Sequence, residues 1–290
     1  MQAKLLLIHA LSPLHAGTGQ GVGVIDLPIA REKATGIPFL PGSSIKGVLR
    51  DACPDDKKVT VFGPDTANAS DHAGSAQFSD ARLLLLPVRS LAGTFAWVTS
   101  PFLLRRFLRD LSDNKDLKPP LNVPAPANDT VCYVSNAGCA LLLQHQNQER
   151  VVLEDLLFER SLSADVGTWA GWLGAILFPN NAYNNAYWQD ALKARLCVVS
   201  DDVLGFLLQT ATEITARIQL DPATKTVKRG ALWYEEALPA ETVLTGLLIA
   251  SPVKAEAAEV FATVNNLTKT AIQFGGSATV GRGLCQLRLI

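Results

Sequence analysis

Four glycines at alternate positions, Gly17, Gly19, Gly21 and Gly23, run into a lone acid, Asp26. A second glycine-bracketed stretch follows at Pro41-Gly42-Ser43-Ser44-Ile45-Lys46-Gly47. Glycine lets another backbone come close and takes dihedrals that other residues avoid. These segments therefore read either as loops with special turns or as a surface for a phosphate-bearing chain. Asp26 either caps a turn or activates a nucleophile attacking phosphorus, directly or through a bound metal ion. Lys46 falls in the first turn of an expected helix, where a cation faces the positive end of the dipole. An anion there would remove that penalty, and the helix-start amides with Lys46, and Arg50 one turn on, make a phosphate site; the alternative is a solvated lysine. A third glycine-rich loop, Phe274 to Gly283, carries Arg282 between Gly281 and Gly283 and suits close contact with a polyanion.

The spacing excludes two common nucleotide fingerprints. The third glycine of a dinucleotide motif would fall at Val22, Val24 or Asp26, and the Lys-Ser/Thr pair of a P-loop is replaced by Val48-Leu49. No GxSxG elbow and no locally paired cysteines occur. Of four histidines, His15 stands two residues before the glycine run, placed to act as a general base, a phosphate contact or a structural group.

Composition narrows the class. A net charge of −1 argues against a protein that holds nucleic acid by bulk positive charge, while leaving room for a local basic groove. The hydrophobic share of 48% supplies a substantial core. Five widely spaced cysteines, an odd number, do not suit a disulfide framework and point to a reduced, cytoplasmic compartment. The N-terminal apolar run ends at His9, short for a secretory signal, and no stretch is long enough to span a bilayer, so no membrane partner is expected.

The elements that must position these residues are strands, helices and one hairpin. Ala3 to Ala10 reads as a buried strand; Ser43 or Ser44 offers an N-cap for a helix with Ile45, Val48 and Leu49 inward. Pro54 to Gly74 reads as a polar surface loop, and Ala81 to Val88 and Thr94 to Val98 as strands. Ser100-Pro101 starts a helix whose stripe is Leu103, Phe107 and Leu111, with Arg105, Arg106 and Arg109 outside it. An irregular proline-rich connection from Lys118 to Thr130 precedes helices over Asp165 to Leu177 and Tyr183 to Ala194. Leu196 to Val199 is a strand, and Ser200 caps a helix through Leu208. Glu213 to Gln219 and Val227 to Tyr234 form hairpin arms around Asp221-Pro222-Ala223-Thr224-Lys225. Then come a strand at Val243 to Ile249, a helix at Lys254 to Asn266 and a last strand at Leu284 to Leu289. Together these are the parts of an α+β, ferredoxin-like sheet with large insertions.

At the level of whole motifs the chain resembles the RAMP superfamily. The resemblance rests on Leu14-His15-Ala16-Gly17-Thr18-Gly19, Val24-Ile25-Asp26-Leu27-Pro28, Gly36 to Gly47, Val61-Phe62-Gly63, Leu232-Trp233-Tyr234-Glu235-Glu236 and the terminal glycine loop. More narrowly it is similar to the backbone subunits of the type III-B CRISPR effector, the Cmr complex. The resemblance implies one elaborated domain over 1-290, a modified RNA-recognition-motif palm (1-53, 81-98, 196-208 and 243-290). Insertions fall at 54-80 and 99-195, and the β-hairpin thumb spans about 213-236. It implies stacking of copies along guide CRISPR RNA beside other Cmr complex subunits, each thumb displacing a nucleotide at a regular interval. It further implies that Asp26 is the key residue for metal-dependent endoribonuclease cleavage of target RNA, with a divalent ion, Mg or Mn. Glu235 supports the cut, and Lys46 and the loop at Gly281, Arg282 and Gly283 hold the guide. Gly17, Gly19, Ser43, Arg50 and Lys228 complete the expected RNA contacts. Ala237 stands where some relatives carry an aromatic residue. Two other readings are a non-catalytic RNA-binding scaffold and a metal-independent guide-processing ribonuclease using His15.

Overall fold

A computed structural model of the 290-residue chain describes residues 2–19, 21, 23–68, 70–112, 114, 116–135, 138–179 and 185–290. Its principal elements in chain order begin with β1 (Gln2–Ala10), α1 (Gly42–Ala52), β2 (Ala81–Arg89), β3 (Phe95–Thr99) and α2 (Pro101–Asp110). The middle holds β4 (Val131–Ser135), β5 (Leu143–His145), β6 (Gln148–Leu153), β7 (Leu156–Ser163), α3 (Ala164–Leu177) and α4 (Asn185–Arg195). The last part holds β8 (Leu196–Val198), α5 (Asp201–Thr210), β9 (Glu213–Leu220), β10 (Val227–Ala237), β11 (Val243–Ala250), α6 (Ala257–Leu267) and β12 (Leu284–Leu289).

Four strands make the palm in the spatial order β12-β1-β11-β2, every neighbouring pair antiparallel. With α1 following β1 and α6 following β11, this is the ferredoxin-like arrangement expected from the sequence. β1 is central and buried from Leu5 to Ala10 because successive side chains enter opposite cores. Leu6 and Ile8 face the layer holding Ile45 and Leu49 of α1 and Val260 and Val264 of α6. Leu5 and Leu7 face Trp97, Phe107, Trp169 and Leu173.

The insertions differ from expectation in informative ways. The segment after Pro54 is not wholly surface loop: Val61 and Phe62 are buried in a short π-helical turn, and Ala76–Phe78 pairs with β11. The 99–195 insertion brings four strands, β4 to β7, not foreseen in the sequence. β4 pairs with β8 and β7, so the palm sheet continues outward through β2-β3-β8-β4-β7-β6-β5. α1 starts at Gly42 with Pro41 at the N-cap and no side-chain cap, so neither Ser43 nor Ser44 serves. Asp80 replaces them, accepting the Gly42 N–H at 2.8 Å. The start of α4 expected at Tyr183 lies outside the described residues, and the helix is described from Asn185.

β9 and β10 form a separate two-stranded sheet, the thumb, closed by a turn over Asp221 to Thr226. Asp221 accepts the N–H groups of Ala223 and Thr224, which holds the tip. Among the described residues no helix is long and apolar enough to cross a membrane. All five cysteines are free.

Candidate functional site

The segment from Leu14 to Arg31 crosses the base of the thumb, and backbone bonds fix it there. Leu27 donates to the Tyr234 carbonyl at 3.0 Å, and Glu236 donates to the Leu27 carbonyl at 3.0 Å. Strand β10 therefore uses one edge for its partner β9 and the other for this segment. Asp26 is exposed on that second edge. Its Oδ2 accepts the Tyr234 N–H at 2.7 Å, and Oδ1 is without a partner among the described residues.

His15 lies below, 8% exposed. Its Nδ1 sits 2.6 Å from the Glu236 carbonyl oxygen, which only accepts, so Nδ1 carries the proton. In the neutral tautomer that this contact selects the lone pair is on Nε2, which has no hydrogen-bond partner among the described residues. Gly17 is required beside it, because a Cβ there would lie 2.5 Å from Nε2. The ring faces a groove of about 530 Å³ lined by His15, Gly17, Gly19, Ser44, Gly47 and Gly275. The N-terminal and C-terminal glycine loops thus meet, as the neighbouring first and last strands require: Gly276 donates to the His15 carbonyl and Gly283 to that of Pro13.

Glu235 is 9% exposed and has both oxygens engaged, Oε1 by the Trp233 indole at 3.1 Å and Oε2 by Arg217 at 3.2 Å. Burial works to raise its pKa. The Trp233 and Arg217 hydrogen bonds and the nearby positive charge more than offset that, and the carboxyl is held below its ordinary range. Both of its partners belong to the thumb, so it is an ionised carboxylate tying the two thumb arms at their base. Glu236, which sequence reasoning passed over, is 3% exposed and accepts from Arg31 at 2.5 Å, the Ile29 N–H at 3.1 Å and the Thr212 hydroxyl at 3.0 Å. One buried carboxylate thus joins the Asp26 segment, the thumb and the end of α5.

The expected guide contacts divide. Ser43 and Lys46 line a second hollow of about 490 Å³ with Gly63, Gly74 and Gln77, on a different side of α1 from the His15 groove. Lys46 has no ion-pair partner among the described residues, and Lys228 is exposed on the thumb. Arg50 and Arg282 are committed within the chain. Arg50 pairs with Asp65 at 2.5 Å, while Arg282 meets Glu213 at 3.2 Å and the Thr215 hydroxyl at 3.0 Å at the thumb base. The Asp80 contact also takes one of the α1 amides that an anion would use. Gly281 is exposed, whereas Gly283 is buried, with a positive φ of 79° and the Phe274 carbonyl where a Cβ would be.

The donor set for a divalent cation is small. Among the described residues no group of three His, Cys, Asp or Glu side chains is arranged to hold a metal. What remains is the open Asp26 Oδ1, which fits a hydrated hard cation shared with a substrate phosphate and does not make a closed protein cage.

Residues 7–286 match the RAMP superfamily. This chain belongs to the RAMP superfamily. It is 34% identical to the CRISPR system Cmr endoribonuclease Cmr4 of Pyrococcus furiosus over 100% of this chain and 96% of that protein. The crystal structure of oligomeric Cmr4 from Pyrococcus furiosus shares its fold at a TM-score of 0.73 and 28% identity, covering 100% of this chain and 98% of that one. A chain of the type III-B Cmr-beta complex bound to cognate target RNA has the same fold at TM-score 0.72 and 23% identity, covering 100% and 97%. The α+β palm with its hairpin thumb is therefore the RAMP fold in this protein.

Proposed function

We propose that this chain is a guide-RNA-binding backbone subunit of a type III-B CRISPR effector. Copies stack along guide CRISPR RNA with the other Cmr complex subunits in the cytoplasm and cleave complementary target RNA once per subunit. Base pairing reads the sequence, so each subunit neutralises only a few phosphates, and a net charge of −1 is tolerable.

The observation that carries this reading is Asp26, exposed with one free carboxylate oxygen and fixed by the other to the thumb that would displace a target nucleotide. Displacing a nucleotide opens the adjacent phosphodiester to in-line attack, and a carboxylate held at that kink is positioned rather than searching. Glu235 stiffens the base of the thumb through Arg217 and Trp233, and Lys46 and Lys228 meet the RNA backbone. When bound, Mg or Mn would neutralise developing charge on the phosphate, with Asp26 holding it beside the substrate. In an assembled complex, Asp26→Asn should keep target binding and lose cutting; unchanged cutting would remove the proposal.

His15 supports a second reading, metal-free cleavage with Nε2 as general base, because that lone pair faces the groove. Cleavage that survives a chelator and disappears in His15→Ala would establish it.

A further inference from the structure

On the sheet face opposite α1 lies a cavity of about 340 Å³ that nothing in the proposed RNA cleavage uses. Its floor is a square of strand residues. In the β1–β12 ladder Leu7 faces Arg288 and His9 faces Gln286, and antiparallel partners present their side chains on the same face. Its wall is aromatic: Phe178 at the end of α3 stacks on Trp188 of α4 at 5.9 Å and 25°. Lys269, exposed after α6, stands at the rim.

The charges in this cavity do not balance. Glu241 is taken by His9 Nε2 at 2.7 Å. Arg288 and Lys269 have no ion-pair partner among the described residues, and the Arg288 Nε is buried without a hydrogen-bond acceptor. A half-buried guanidinium without a counter-charge is costly, and here burial pulls its pKa below the ordinary value. Glu241 is also in the left-handed region at φ 73°, pinned by the Trp97 indole on its carbonyl at 2.9 Å.

We propose that this cavity binds a single nucleotide unit, its phosphate on Arg288 and Lys269 and its base against Trp188. The volume is at the small end of ligand pockets, room for one nucleotide and not for a helix. Trp188 is half-buried in a cluster with Phe178, Trp97 and Tyr187, and a base set against such an aromatic wall is held without regard to its identity. The unit is either a free nucleotide or the phosphorylated end of an RNA strand.

The test titrates the full-length chain with AMP, adenosine, inorganic phosphate and tetra-adenylate with and without a 5′-phosphate, followed by calorimetry and tryptophan fluorescence. AMP should bind saturably, with adenosine and phosphate each about tenfold weaker or worse, the scale of one charge-assisted hydrogen bond. Arg288→Gln should weaken AMP by about tenfold or more. Lys269→Ala, at an exposed position that leaves the fold intact, should weaken it by about threefold or more. Binding of AMP alone identifies a free nucleotide; preference for the phosphorylated oligonucleotide identifies an RNA end; either supports the site. No binding by AMP or by the phosphorylated oligonucleotide, or equal binding by Lys269→Ala and the unaltered chain, overturns it.

Discussion

The Asp26 carboxylate accepts the Tyr234 backbone N–H at 2.7 Å, although 208 positions separate the two residues. The bond is made to the main chain of β10, so its geometry does not depend on which side chain stands at 234. The acid is thereby tied to the thumb strand as well as to its own segment. Under the proposed function, cutting position and nucleotide displacement would then belong to one unit.

Glu236 holds that unit together. Glu236→Gln leaves the Arg31 guanidinium, 25% exposed, beside a neutral amide, and partial exposure discounts the cost of a broken buried pair to about 2 kcal/mol. In a chain of 290 residues that is a fall in melting temperature of about 3 °C, measured by calorimetry. Residual folded protein should also cut less uniformly in position, read from product lengths on a sequencing gel.

Acid should loosen the same region. Glu32 accepts from Arg106 at 2.5 and 2.9 Å, and that contact, against the opposing effect of burial, holds its carboxyl below the usual value of 4.5. Glu235 is lowered as well. For a depressed carboxylate the stabilisation is whole above the unfolded-state pKa and is lost as pH falls through the lower native value. Melting temperature should hold steady down to about pH 5 and drop below it. Glu32→Gln should lower the neutral-pH plateau and flatten the acid slope.

Two glycines two residues apart should respond differently to alanine. Gly281 has φ 81° with open space around it, so Gly281→Ala should cost about 1 kcal/mol of backbone strain. Gly283 has φ 79° and would place a Cβ 1.9 Å from the Phe274 carbonyl oxygen. Gly283→Ala must displace backbone, and denaturant titration should show at least about twice the loss of its neighbour.

Much of this architecture was legible in the sequence. The palm strands, α1 and both thumb arms follow from apolar periodicity and from Asp221-Pro222 at the tip. The strands between 131 and 163 were not. Their hairpin turn at Gln146-Asn147, both at positive φ, did carry a readable signal in the asparagine. Asp26 and His15 could be singled out locally, Glu235 only through the family resemblance, and all three lie at the thumb base. Glu236 could not, because its partner Arg31 lies 205 positions away. The same distance effect hid the commitment of Arg282 to Glu213, 69 positions away, and of Arg50 to Asp65 beyond its helix.

That difference in commitment separates the cations. Lys46→Ala and Lys228→Ala should each weaken single-stranded RNA binding and reduce the salt dependence by about 0.7 of a counterion. Arg50→Ala and Arg282→Ala should instead lower thermal stability with little change in the salt slope, measured by filter binding across a salt series.

The most direct measurement is cleavage of a guide-complementary target RNA by a complex assembled with Asp26→Asn. The substitution keeps a carbonyl oxygen for the Tyr234 N–H and removes only the charge. Target affinity should stay within about twofold, while the regularly spaced products fall by about 100-fold or more. Normal products at the normal spacing from that variant would contradict the assignment of cutting to Asp26.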